Sequence, residues 1–263
     1  MRRILITIDG GPGNRESLRT AAMLCEMTGA GLSVAHATGD VGGVSGLGES
    51  LVVVNVVEDG RAQARAAFDD ICGRMPEARF KAYTSRSADL VAWRGPGHDL
   101  ILLERISREE GPKAQLLNAA LFETGRPVLL LPPEPRTTPI RRPAVAWNGT
   151  AISARAIRSA LPLLQPARHA TLLIGSGAGN IRPDPLREYL ASYGVASVLH
   201  AYDSEHLTAR ARGRALIAAA VASGADLLVT GAFGESAAGS ILGLGRATQK
   251  LATAAPMPVL MQN

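Results

Sequence analysis

A chain of 263 residues is long enough for one large domain or two ordinary ones, and it needs no metal or disulfide to build a core. Hydrophobic residues make up 46% and charged ones 19%, which excludes wholesale disorder; aromatics are 4%, so the core rests on Ala, Val, Leu and Ile. The net charge of +5 comes almost wholly from arginine, yet no basic run with interleaved aromatics occurs, which argues against nucleic acid and favours small anions.

The first predicted strand spans 3–8, ends at Asp9-Gly10 and leads into a helix over 14–28. A strand over 31–36 follows. The section 39–55, rich first in Gly and then in Val, reads as an irregular insertion with one edge strand. Strands over 78–83, 99–103 and 127–131 come next, with a short helix between Ser85 and Gly97. Residues 132–142 contain four prolines and several charges, the composition of a linker. Beyond it, strands are predicted near 143–147, 170–174, 195–200, 226–230 and 258–261, and helices near 150–164, 184–193, 206–223 and 244–255. The helix at 150–164 sets Ile152, Ala156, Ile157, Ala160, Leu161 and Leu164 on one face. In the helix at 206–223, Leu207, Ala211, Ala215 and Ala218 form a smooth face, and Gly224 supplies a stop with positive φ available.

Three landmarks recur in the same order, each about 130 residues apart. Asp9 after the first strand is matched by Asn148, Asp99-Leu-Ile-Leu by Asp226-Leu-Leu-Val, and Arg126-Pro127-Val-Leu-Leu by Met257-Pro258-Val-Leu-Met. Two copies of one unit with alternating strands and helices imply an α/β protein with parallel sheets, divided as 1–135 and 140–263. The apolar run after Arg2-Arg3 is too short for a signal peptide. Gly224 and Asp226 break the apolar stretch 215–234, so no membrane span is expected and the chain is read as cytoplasmic. Cys25 and Cys72 lack CxxC spacing and read as buried thiols.

In such sheets ligands bind outside the carboxyl ends of the strands, against helix N-termini. The segment after the strand at 226–230 carries Gly231, Gly234, Gly239, Gly243 and Gly245 before the next helix, so backbone N–H groups can approach an oxyanion closely; a ligand-free flexible loop is the plainer alternative. Gly175-Ser-Gly177-Ala-Gly179 lacks the third glycine of a dinucleotide fingerprint, and no P-loop lysine motif or Gly-x-Ser-x-Gly occurs. His36, His98, His169, His200 and His206 form no metal-ligand pattern, so no metal site is expected. Asp99 and Asp226 suit turn or cap roles better than catalysis. No catalytic nucleophile or base emerges.

These residues resemble the universal stress proteins in their tandem two-domain form. That family's pattern is Gly-x2-Gly, nine residues, then Gly-Ser or Gly-Thr. Here Gly231-x2-Gly234 matches, ten residues intervene before Gly245, and Arg246 replaces the hydroxyl residue. The resemblance implies two Rossmann-like domains of the adenine nucleotide alpha hydrolase-like type, packed as a pseudo-dimer through their last strands; association of two chains is compatible with it. It implies ATP or a related adenine nucleotide at Asn148, Gly149, Gly231, Phe233, Gly234, Gly245, Arg246 and Ala247, with adenine against the backbone of Ile174 and Gly175. Where the family places an acid after the first strand, copy one has Asp9 and copy two Asn148, which keeps a carbonyl acceptor but leaves Mg²⁺ open. Arg246 brings donors suited to phosphate. In copy one, Glu104, Glu109 and Glu110 follow the fourth strand and should repel a triphosphate, so one site is expected, in copy two. The expected role is a stress-response binding module whose loop 231–246 is ordered by nucleotide and read by an unknown protein partner, without turnover. A slow ATP hydrolase or transferase on the same scaffold, and an interaction protein with a decayed site, stay open.

Overall fold

A computed structural model describes residues 1–39, 51–106, 111–133, 138–176, 181–232 and 245–263. Its strands are β1 (Arg3–Ile8), β2 (Gly31–Ala37), β3 (Ala78–Tyr83), β4 (Leu100–Glu104), β5 (Val128–Leu131), β6 (Pro143–Ala146), β7 (His169–Gly175), β8 (Ala196–Tyr202), β9 (Leu227–Gly231) and β10 (Val259–Gln262). The helices are α1 (Asn14–Thr28), α2 (Leu51–Ile71), α3 (Ser87–Arg94), α4 (Pro112–Phe122), α5 (Ala151–Leu164), α6 (Asp184–Ser192), α7 (Ala209–Ala222) and α8 (Arg246–Ala254).

The strands form a ten-stranded sheet in the order β3-β2-β1-β4-β5-β10-β9-β6-β7-β8. Every neighbouring pair is parallel except β5 and β10, which run antiparallel with Leu129 opposite Leu260. Both strands are apolar and almost wholly buried. Left unpaired, each would be an exposed hydrophobic edge, so their pairing inside one chain joins the two halves into a single sheet. Within each half the first strand lies between the second and the fourth, which opens a crevice at the switch point beyond its carboxyl end.

Side chains alternate along the buried strands: Ile4 and Ile6 face one layer and Leu5 the other. Helices α1, α2, α5 and α6 cover the first face, and α3, α4, α7 and α8 the second. Asp99 and Asp226 hold matching positions. Asp99 accepts from the backbone N–H of Arg2 and Arg3 at 2.6 and 3.1 Å, and Asp226 accepts from Arg141 and Arg142 at 2.8 and 2.9 Å. Each carboxylate ties the start of its half's first strand to the start of the fourth, the turn role expected of it. Cys25 and Cys72 are buried and free, and burial pushes their thiols up to about 12 and about 11.

Two expectations are corrected. The Val-rich start at Leu51 is not an edge strand but the first turns of α2, which runs to Ile71; residues 40–50 of that insertion lie outside the described residues. Strand propensity yields here because a parallel crossover from β2 to β3 needs a helix on the sheet face, and the Ala-rich stretch beyond Arg61 carries it. The helix expected over 206–223 starts later, at Ala209: the Thr208 hydroxyl caps it by accepting from the Ala211 N–H, and Leu207 stays outside, exposed. Gly224 has φ +68°, as expected of the residue that ends that helix.

Candidate functional site

The crevice of the second half is a cleft of about 360 Å³ at the carboxyl ends of β6, β7 and β9, walled by α7 and α8. Its position follows from the strand order; its shape follows from particular residues. After β6, Asn148 lies in an Asx-type turn in which its Oδ1 accepts from the Thr150 N–H at 3.2 Å and the Thr150 hydroxyl at 2.8 Å. Gly149 takes φ +75°, and Thr150 caps α5 through the Ser153 N–H. At the end of β9, a Cβ on Gly231 would meet Ile152 Cγ2 at 2.8 Å and the Ser153 nitrogen at 3.2 Å, so glycine lets the strand press against the first turn of α5.

The opposite wall is the first turn of α8. Gly245 is its buried N-cap and offers no side-chain cap, so the opening N–H groups have no acceptor within the helix. Ala247, Thr248 and Leu251 share the face of α8 that lines the cleft. α7 lies tight on α8 because Gly213 has no side chain; a Cβ there would meet the Ala247 carbonyl oxygen at 2.9 Å. That contact sets Arg212, one residue earlier, in the cleft wall.

At the β7 and β8 end the crevice is laced together. The Ser176 hydroxyl donates to Asp203 at 2.9 Å, and the Ser204 hydroxyl donates to the Ser176 carbonyl at 2.6 Å. The Tyr202 ring lies over Gly175, its Cζ 3.2 Å from where a Cβ would stand. Burial pushes the Tyr202 phenol up, and the nearby Arg212 charge acts against that rise. The cleft is thus lined by an aromatic ring, hydroxyls, a guanidinium and a helix N-terminus.

Of the residues anticipated from the sequence, Asn148, Gly175, Gly231, Gly245 and Ala247 come together around this cleft. Gly149 serves the turn, and Ile174 and Arg246 do not line the cleft; the Arg246 side chain is exposed. Phe233 and Gly234 lie outside the described residues. Sequence reasoning missed Tyr202, Ser204 and Arg212. A signal for Arg212 existed: α7 opens with Arg210, Arg212 and Arg214 and has no acid in its first turn. A helix dipole disfavours cations there, and a mid-helix glycine beside them costs about 1 kcal/mol relative to Ala.

The crevice of the first half is about 130 Å³, and Asp9, Asn14, Glu104 and Lys113 are among its lining residues. Glu104 ends β4 and turns into it, accepting from the Asn14 side-chain amide at 2.9 Å and the Lys113 ammonium at 2.8 Å. Lys113 also lies 3.4 Å from Asp9, whose Oδ1 accepts from the Gly11 N–H at 2.8 Å. Burial alone would raise Asp9, but the Gly11 N–H and the Lys113 ammonium outweigh it and hold the carboxyl below its usual range. Burial likewise favours neutral Lys113, and the Glu104 and Asp9 carboxylates overcome it, so its ammonium is held above its usual value. Among the described residues no three His, Cys, Asp or Glu side chains are grouped to hold a metal ion, and no helix is long and apolar enough to cross a membrane.

Among solved structures, the chain is similar to a universal stress protein from Archaeoglobus fulgidus DSM 4304, at 14% identity and TM-score 0.73 over 99% of this chain and 98% of that one. A functionally unknown protein from Pseudomonas aeruginosa PAO1 matches at 16% identity and TM-score 0.65, covering 100% and 92%. A putative universal stress protein from Pseudomonas aeruginosa UCBPP-PA14 matches at 16% identity and TM-score 0.64, covering 100% and 93%. No family model matches the chain, and no curated protein matches it. The chain has the fold of these structures along its whole length, two Rossmann-like halves in one sheet.

Proposed function

We propose that the chain is a tandem universal stress protein that divides at 1–135 and 140–263 and binds one adenine nucleotide, ATP or a relative, in the cleft of its second half. The observation that carries this reading is the contrast in chemistry at the two switch points. The second cleft combines backbone without side chains at Gly231 and Gly245, the start of α8 at its glycine N-cap, an aromatic ring at Tyr202 and a guanidinium at Arg212. That set suits a flat base and an anion. The first crevice is filled by its own ion pair. Nothing in the cleft's described lining pairs a nucleophile with a base, so the reading is a cytoplasmic binding module whose occupancy is sensed by a protein partner.

Thermal unfolding of the whole chain with ATP tests it. A ligand at 100 times its Kd stabilises by about 2.7 kcal/mol, which raises the midpoint by several degrees. A midpoint unmoved by ATP, ADP and AMP would sink the proposal. Steady production of phosphate from ATP by purified protein would replace the binding module with the hydrolase on the same scaffold.

A further inference from the structure

The universal stress fold brings with it the expectation of a nucleotide accompanied by Mg²⁺, and the donor set of the second cleft does not fit that ion. Mg²⁺ is held by hard oxygen ligands, with one or two carboxylates as the protein's share. None of the described lining residues is Asp or Glu. Asn148 stands where the first half has Asp9, and its carbonyl oxygen is already engaged by Thr150. The carboxylate of Asp203 is engaged by the Ser176 hydroxyl.

A cation nevertheless sits in the wall. Arg212 lines the cleft from α7 and has no carboxylate partner among the described residues. The Gly213 contact holds its backbone against the first turn of α8, so Arg212 and that helix N-terminus line the same cleft. A guanidinium is permanently charged and presents a planar fork of donors that matches phosphate oxygens two at a time. Resting on the reading that this cleft holds a nucleotide, we propose that it takes the nucleotide free of divalent cation, with Arg212 as the phosphate-binding residue in the place of the metal.

Calorimetric titration of the full chain with ATP, once in excess EDTA and once in excess Mg²⁺, tests this. The Kd in EDTA is expected to equal or be tighter than that in Mg²⁺. Arg212→Gln weakens the EDTA Kd by about tenfold or more, the size of a lost charge-assisted contact, and Arg212→Lys restores part of it. Arg212 is exposed, so the ligand-free variants should unfold close to the wild-type temperature. Binding that requires Mg²⁺, or an Arg212→Gln Kd equal to wild type, overturns the inference and leaves nucleotide binding standing. Absence of binding in both buffers overturns both.

Discussion

At the carboxyl end of β4 the chain carries Glu104; at the matching end of β9 it carries Gly231. Around Glu104 the first half supplies Asn14, Ser17 and Lys113 as partners, while in the second half Gly231 has no side chain and packs against the first turn of α5. Lys113 near the start of α4 is replaced by Ala247 near the start of α8. One scaffold thus yields a crevice that satisfies its own charges and one with positive charge left over. The difference teaches that the strand order sets where a site lies, and that about three side chains decide whether it is open.

The comparison breaks most directly at Gly231. Gly231→Glu puts a carboxylate where the anion should sit and forces a Cβ against Ile152, so ATP binding should fall by about a hundredfold or more. The steric share of the stability loss should be about 1–3 kcal/mol. Gly231→Ala, measured by the same titration, separates the two effects because it carries the steric term without the charge. A middling effect is expected at Tyr202, where Tyr202→Ala removes the ring that covers Gly175 and should weaken ATP by about tenfold, with inorganic pyrophosphate little affected.

In the first half the test is stability. Lys113→Met leaves Glu104 and Asp9 facing each other without their cation. Both carboxylates keep contact with solvent, so the loss at neutral pH should be about 1 kcal/mol in urea unfolding. The pH dependence has a definite sign. Asp9 is held below its usual range, so its contribution is complete above the unfolded value near 4 and is lost as pH falls through its lower folded value. Lys113 is held above its usual value, so its contribution is complete below about 10.4 and is lost as pH rises through the folded value. Lys113→Met should remove Lys113's share of the alkaline loss, leaving that of the buried Cys25 and Cys72 thiols, and shrink the acid one; an unchanged pH profile would remove the ion pair from the account. The smallest effect belongs to Arg246→Ser, less than about threefold on ATP binding, because Arg246 does not line the cleft.

Much of the fold is legible in the chain. Asp99 and Asp226 announce matching strand starts, and the resemblance to the tandem form anticipates that the strands at 127–131 and 258–261 pair with each other. The start of α2 is not legible: a β-branched run such as Val52-Val53-Val54 favours a strand locally, and only the crossover demands the helix that begins at Leu51. At the site, glycines spaced along one loop are readable because they lie together in the chain. Arg212 shows in the chain only as one of three arginines at a helix start, because its place in the cleft depends on the contact of Gly213 with Ala247 on another helix. Its place in the chain points Arg246 to the phosphate, yet the helical turn sets it and Lys250 on a different strip from Ala247, Thr248 and Leu251.

The stoichiometry of ATP on the intact chain, by calorimetry, tests the central claim of one open and one self-filled crevice. The account predicts one nucleotide per chain, unchanged in Lys113→Met and abolished in Gly231→Glu. Two nucleotides per wild-type chain, or a single site that survives Gly231→Glu, would contradict it.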